Sequence, residues 1–443
     1  MYKMHLMKIS KILHAILICL SGCMLFTTCK KEIKQGDYAT STNMLKIHDL
    51  HGDFPLAQIK RTAGGYFLVY GEFVNRQKDV SVAVTDDVGN VMHKTTFGGS
   101  KNEGIWFTQL DAAGNLYICG QTFSPELRMD KNAKITSSQD GYLAKLDRDG
   151  NLLWQRGYSD TIASPKKGVE PDGFISMYLI NNMLYCVGLT GNWHTSASGA
   201  MELDILLVTF DENGNVLKDR WLPAPYRGES SKNYTGLYAI DALKLSNNDL
   251  IIRFDFFNYQ SQGRNMDTTA LLCRYNIEKD SVLWTKYYRQ SSLQGDICYG
   301  GLLANGNIAF FDSYWNTINI FDVNTGNTLS TTTVNNNTAG VTSNQYYMNM
   351  GISPFSFNGN LYFLGYFSKG GTVANQKPFV AKLNSQGTLV YNKIFDIPLG
   401  YFYWVTQNGN NNLQFMGGIN AFNTSNIKLF TLTTDEDGNV INK

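Results

Sequence analysis

Acidic side chains in this chain recur in turns that also carry glycine. Asp147-Arg148-Asp149-Gly150-Asn151 is matched by Asp211-Glu212-Asn213-Gly214-Asn215, Asp86-Asp87-Val88-Gly89-Asn90 and Asp435-Glu436-Asp437-Gly438-Asn439. Oxygen donors so close together could hold calcium. An EF-hand loop, however, needs donors at its first, third and fifth positions, glycine at the sixth and a bidentate Glu at the twelfth. Asp147 meets its glycine two residues too early, and the late Glu is missing. These turns therefore read as hairpins, and no metal is expected. His48 and His51 flank Asp49, a spacing that could serve a metal or a catalytic pair, but they precede every repeated element described below. His93 has no such company, and His194 follows Trp193 beside Thr195 and Ser196, a loop tip able to touch a ligand. The chain has no Gly-x-Ser-x-Gly, no HExxH and no glycine loop suited to phosphate. No catalytic residue and no cofactor is assigned. Glycoside hydrolysis needs only two carboxylates placed by the fold. Glu126, Asp130, Glu170, Asp172, Glu229 and Asp267 are the acids that would carry that alternative.

Of seven cysteines, Cys19, Cys23 and Cys29 belong to the N-terminal leader. Cys119, Cys186, Cys273 and Cys298 are far apart on apolar, strand-like segments, without a CxxC or a Cys/His cluster, and read as buried free thiols. Cys119 and Cys186 occupy neighbouring columns of the repeat and are expected to point to opposite faces.

The leader itself is a targeting segment. Lys3, Lys8 and Lys11 precede an apolar run from Ile12 to Phe26, and Cys29-Lys30-Lys31-Glu32 follows. That order is the pattern of a secretion signal, to be excluded from fold reasoning. Leu20-Ser21-Gly22-Cys23 fits the usual lipobox more closely than Phe26-Thr27-Thr28-Cys29. Cleavage before Cys23 would nevertheless leave Met24-Leu25-Phe26 next to the lipid, whereas everything after Cys29 is polar. Residues 1–28 are read as the signal peptide, Cys29 as the lipidated residue and 29–55 as a polar tether leading into the domain at 56–443. The Cys-Lys-Lys-Glu start resembles lipoproteins that certain Gram-negative bacteria carry to the outer membrane and often to the cell surface. The expected membrane partner is reached through that N-terminal lipid.

Composition narrows the fold. The chain is 43% hydrophobic and 17% charged, with a net charge of +1, and its Lys and Arg are scattered singly. A nucleic-acid-binding face would need clustered basic residues, and none is visible. Nine prolines against 41 glycines, with 25 Tyr and 25 Phe, favour strands joined by tight turns. No helical spacing of apolar residues persists after residue 35.

The decisive pattern is a repeat. Asn115-Leu116-Tyr117-Ile118-Cys119-Gly120 recurs as Asn360-Leu361-Tyr362-Phe363-Leu364-Gly365 and as Met183-Leu184-Tyr185-Cys186-Val187-Gly188. The lead apolar column is Phe67, Leu116, Leu184, Leu250, Ile308, Leu361 and Leu413. Its mean spacing of about 58 residues suits a four-stranded propeller blade. The Asp…Gly-Asn turn alternates with this element, and looser versions occur at Asn276–Ser281 and Asp322–Asn327. The strand before it carries an aligned polar position at Lys145, Thr209, Arg274 and Lys382, expected to be exposed near the strand end. Each unit reads as strand, tight turn, strand, long loop, strand, tight turn, strand, with blades near 56–98, 99–158, 159–225, 226–290, 291–335, 336–396 and 397–443. The expected fold is all-β: a β-propeller of seven four-stranded blades.

The unit running Gly98-Gly99-Ser100, Asp111 to Thr122, Asp140 to Leu146 and Gly150 to Trp154 resembles the SBBP-type β-propeller repeat. The resemblance is close in blade two, moderate in blades three and six and faint elsewhere. Phe254 and Asp312 stand where the repeat has glycine in its second strand. It implies a propeller found on exported bacterial proteins, with no assigned chemistry.

Loop length separates the two faces of such a ring. One face carries the short Gly-Asn turns. The other carries long, varied connections, among them Thr122–Gln139, Thr190–Glu202, Asn258–Asp267 and Ser368–Lys377, with aromatics including Phe123, Trp193, Tyr314 and Trp315. Variable loops on a rigid scaffold are where binding sites collect. The function expected is non-catalytic binding of a glycan or a protein partner, with Trp193 and Trp315 as contacts. The alternatives are a carbohydrate-active hydrolase and an envelope assembly scaffold. For the anchor, mass spectrometry of the N-terminal peptide is expected to find acyl chains on Cys29. The Cys29→Ser chain should accumulate as an unlipidated precursor while Cys23→Ser is still lipidated.

Overall fold

A computed structural model describes residues 48–50, 53–86, 90–129, 139–158, 173–192, 202–222, 234–259, 266–289, 299–312, 317–334, 344–348, 354–369, 376–407, 412–419 and 427–441. They form seven antiparallel sheets. Blade one is β2 (Asp53–Arg61), β3 (Gly65–Val74), β4 (Gln77–Asp86) and β5 (Val91–Phe97). Blade two is β6 (Glu103–Leu110), β7 (Leu116–Thr122), β8 (Asp140–Leu146) and β9 (Leu152–Tyr158). Blade three is β10 (Gly173–Ile180), β11 (Met183–Asn192), β12 (Glu202–Phe210) and β13 (Val216–Leu222). Blade four is β14 (Tyr234–Lys244), β15 (Leu250–Tyr259), β16 (Met266–Asn276) and β17 (Ser281–Arg289). Blade five is β18 (Tyr299–Leu302), β19 (Ile308–Asp312), β20 (Thr317–Phe321) and β21 (Thr328–Thr333). In blade six, β22 (Asn344–Met348) and β23 (Phe355–Phe357) both pair with β24 (Asn360–Lys369), followed by β25 (Gln376–Leu383) and β26 (Leu389–Ile394). Blade seven is β27 (Gly400–Gln407), β28 (Leu413–Ile419) and β29 (Ile427–Thr434), completed by β1 (His48–Leu50). The architecture is the expected all-β, seven-bladed propeller.

Ring closure uses the start of the domain. β1 pairs with β29 antiparallel, His48 opposite Leu429, so the segment read as a lead-in supplies the outermost strand of the last blade. First and last strands in one sheet tie the ends of the chain together, and closure removes the lateral edges an open array would expose. His48 is thus a strand residue, while His51 lies outside the described residues.

The lead column behaves as the repeat requires: Phe67, Leu116, Leu184, Leu250, Ile308 and Leu413 are fully buried, and Leu361 nearly so. The cores lie between sheets rather than within them. Phe67, Val69, Val82, Leu116, Ile118 and Ala144 fill the space between blades one and two. Tyr117, Cys119, Leu143, Phe174, Cys186 and Val208 fill the next. Cys119 and Cys186 do face opposite sides of their own sheets. Those are the two sides that meet, so both thiols share one core. Burial pushes both thiols far above the ordinary range and Cys273 up to about 12. The fourth strands β5 and β21 are largely exposed, and Lys94 on β5 places there a charge that discourages pairing with another chain.

The acidic turns are hairpins that satisfy themselves. Asp147 Oδ1 accepts the backbone N–H of Asp149 at 2.9 Å and of Asn151 at 2.8 Å, while Oδ2 accepts the Asn151 amide at 2.9 Å. Asp111, Asp211 and Asp435 repeat the arrangement. Burial alone would raise the Asp147, Asp211 and Asp435 carboxyls, but these donors hold them below the ordinary range. No cation is required for that. Gly150 and Gly214 take φ of 89° and 78°, a region that side chains enter at a cost of about 1–2 kcal/mol.

After the third strand of a blade, the same turn docks on the preceding blade. A Cβ on Gly214 would lie 2.9 Å from the Trp154 ring of blade two, and one on Gly326 would lie 2.7 Å from the Trp284 ring of blade four. The indoles donate into the docked turns, Trp154 to Glu212 O and Trp284 to Val323 O, each at 3.2 Å. Gly150, Gly387 and Gly438 meet the preceding blade in the same manner. In blade four Asp280, with φ 52°, stands where the others have glycine. Its carboxylate instead receives Lys218 and Arg220 from blade three and Tyr275 from its own blade. The aligned polar column joins this seam, which corrects the expectation that it is exposed. Lys382 is buried and donates to Glu436 O at 3.0 Å, and Arg274 donates to Val323 O at 3.2 Å.

Gly214→Ala should therefore cost both backbone strain and overpacking, about 2–4 kcal/mol. Gly306→Ala, at φ 85° with nothing within 4 Å, should cost strain alone, about 1–2 kcal/mol. Denaturant melts of the two variants measure the difference, which is the contribution of docking.

Candidate functional site

Cys29, Trp193, Trp315 and His194 lie outside the described residues, as do the loop acids Asp130, Glu170, Asp172 and Glu229. Asp267 is in β16, with its side chain not described. The long-connection face is described best in blades one and two. It is not uniformly long. β3 and β4 are joined by Asn75-Arg76 alone, both at positive φ, and blades one and two by Gly98–Asn102.

Side chains lock these connections across the blade boundary. Gln77 Nε2 donates to Ser100 O at 2.5 Å, Lys78 N to Asn102 Oδ1 at 2.9 Å, and Lys101 N to Ser124 Oγ at 2.9 Å. Gln155 Nε2 donates to Gly98 O at 3.0 Å, and Gln155 Oε1 accepts from the Tyr142 hydroxyl at 2.9 Å. Glu126, one of the proposed loop acids, is committed to this frame. It sits in a short turn, Pro125–Leu127, and accepts both the N–H and the hydroxyl of Ser100. The base of the long β7–β8 connection is pinned by Arg128 and Asp140, both buried, with Nε and Oδ2 2.5 Å apart. Removing one member of such a pair strands the other charge, a loss of about 3–5 kcal/mol. Above this frame Phe73 is 58% exposed and Phe123 39% exposed.

Beneath it are three carboxyls that sequence spacing did not bring together. Glu72 accepts Lys94 at 2.8 Å, Ser81 at 2.5 Å and Thr96 at 3.1 Å. Burial favours its neutral form, but these donors outweigh burial and hold it below the ordinary range. Glu103, at the start of β6, is 2% exposed. Its Oε1 accepts Ser124 at 2.6 Å and Thr122 at 2.9 Å, while its Oε2 has no hydrogen-bond donor. Asp79 Oδ1 has none either. The two oxygens converge below Gly98, where a Cβ would lie 2.5 Å from Glu103 Oε2 and 2.6 Å from Asp79 Oδ1. Burial raises both carboxyls, and mutual repulsion raises Glu103 further. A pair so placed is suited to sharing one proton. Asp79 is on β4 and Glu103 on β6, in different blades. The sequence offered only the neighbouring Gly98-Gly99 as a sign of close approach. Among the described residues no group of three or more His, Cys, Asp or Glu side chains could hold a metal.

Comparison with known proteins adds no chemistry. No family and no curated protein matches the chain. Among solved structures, BamB from Moraxella catarrhalis is 12% identical, with a TM-score of 0.41 over 88% of this chain and 99% of that one. A streptogramin B lyase is 10% identical, with a TM-score of 0.43 over 87% of this chain and 97% of that one. A protein of unknown function from Bacteroides caccae is 11% identical, with a TM-score of 0.39 over 76% of this chain and 97% of that one.

The raised carboxyls predict a pH dependence with a definite sign. The folded chain holds their proton more tightly than the unfolded chain does. The stability they contribute is full below the ordinary carboxyl range and is lost as pH rises through their raised folded values. Glu103→Gln, whose amide can donate to Asp79, should remove that loss and raise the melting temperature at pH 7 by a few degrees. Thermal melts across the acid-to-neutral range check it, and a variant that melts lower at every pH contradicts the shared proton.

Proposed function

We propose that this chain is an exported lipoprotein, anchored to the outer membrane through Cys29 and displayed at the cell surface. In this reading its SBBP-type propeller binds a glycan or a protein partner without catalysis. The ligand is taken on the long-connection face. The reading rests on one observation above all: the bases of the connections on that face are tied by buried and cross-blade polar contacts, with exposed Phe73 and Phe123 above them. A frame ordered before binding loses less entropy on binding. Aromatic side chains give large contact area for little rotamer entropy. The opposite face offers turns whose polar groups already bond to themselves.

A hydrolase is the second reading, favoured by the raised Asp79–Glu103 pair. Against it stands the burial of Glu103 beneath the Gly98 backbone, which leaves a substrate little access. A glycan array and a cell-surface pull-down with the soluble domain identify the ligand. Phe73→Ala, Phe123→Ala, Trp193→Ala and Trp315→Ala should then weaken binding by about tenfold or more at true contacts, with melting temperature nearly unchanged. Full binding by all four variants contradicts this placement. Hydrolysis of a bound glycan that is lost in Glu103→Gln would establish the second reading instead.

A further inference from the structure

The first strands of the blades stand side by side around the ring, with β2 beside β6 and β27, and β10 beside β6 and β14. Lys60 is on β2. Its ammonium lies 5.3 Å from the centre of the Phe107 ring on β6 and 5.9 Å from that of Trp404 on β27. Only a side chain directed toward the axis can touch the innermost strands of both flanking blades. The collar continues on each side. Phe107 packs against Tyr178 of β10 at 5.9 Å, and Trp404 against Phe355 of β23 at 4.5 Å. Five blades thus contribute to one layer of aromatic rings around the Lys60 ammonium.

Two groups in this layer lack partners. Among the described residues Lys60 makes no hydrogen bond and no ion pair, and the indole N–H of Trp404 is buried without an acceptor. Elsewhere in the ring, cations meet acceptors: Lys94 has Glu72, Arg128 has Asp140 and Arg274 has Asp249. Ring faces attract an ammonium by about 0.5–2 kcal/mol, which does not offset the loss of water around a charge. The enclosure lowers the Lys60 amine to about 8, so at neutral pH it is still mostly charged. A cation held against aromatic faces beside an unused N–H donor is complementary to an anion with a flat or apolar body.

We propose that the axial channel binds a small organic carboxylate, its anionic head paired with Lys60 and its body packed against Phe107 and Trp404. This site is separate from the long-connection face and does not depend on the function proposed for that face. Titration calorimetry of the soluble domain with benzoate, benzyl alcohol and inorganic phosphate tests it. Benzoate should bind saturably, and both benzyl alcohol and phosphate at least about tenfold more weakly, because each offers only half of the chemistry. Lys60→Met should lose benzoate binding by about tenfold or more while melting no lower than the parent chain. Should that variant fail to fold, Lys60→Gln carries the same expectation. Absence of saturable benzoate binding overturns the proposal, as does equal binding by the folded Lys60 variant. Phosphate binding as tight as benzoate would also overturn it, reducing the site to a simple anion hole.

Discussion

Docking of the glycine turn that follows the third strand onto the preceding blade, described in blades two, three, five, six and seven, sets the conditions for everything else described in the ring. The turn must be small, because a ring system or an aliphatic side chain of the neighbour occupies the space of its missing Cβ. It must also take a positive φ, because the strands it joins leave through a bulge at Lys145/Leu146 and its equivalents. Glycine meets both conditions. The Asp or Asn three or four residues earlier caps the turn internally, so the contact can form without stranding buried polar groups. Blade four shows the constraint by breaking it. With Asp280 in place of glycine, the seam is made by Lys218 and Arg220 instead of by ring packing.

This constraint divides the molecule. On the turn face, side chains and backbone are committed to joining blades, so little is left to engage a ligand. On the other face the connections are free to vary in length, and where they are described their bases are fixed by hydrogen bonds that cross the blade boundary. The hidden pair at Asp79 and Glu103 belongs to that bracing: two carboxyls in adjacent blades, tolerable together only if a proton is shared. The axial layer around Lys60 follows from the same closure, since seven innermost strands must place side chains toward one axis.

Local signals made the ring legible in the sequence. Glycine and Asp at fixed turn positions, and an apolar column leading each second strand, need only a few residues to declare themselves. The seven-fold count follows from them. Long-range pairing was not legible. Nothing at His48-Asp49-Leu50 announces a partner near Leu429, and the polar column at Lys382 looked exposed because its acceptor, Glu436 O, is in another blade. Lys60, Phe107 and Trp404 each read as ordinary strand residues, and only closure of the ring gathers them. Trp193 and Trp315 rest on loop composition alone.

Native-state hydrogen exchange of the soluble domain tests the docking account most directly. The amides of Gly150, Gly214, Gly387 and Gly438 donate within their own turns, which alone would give only modest protection. If those turns are the seams of the ring, their amides should exchange only through the same global opening as the buried strand amides of Leu116 and Leu184. Turn amides that exchange freely while those strand amides stay protected would contradict it, showing that the blades are held by their apolar cores and that the hairpins merely rest on them.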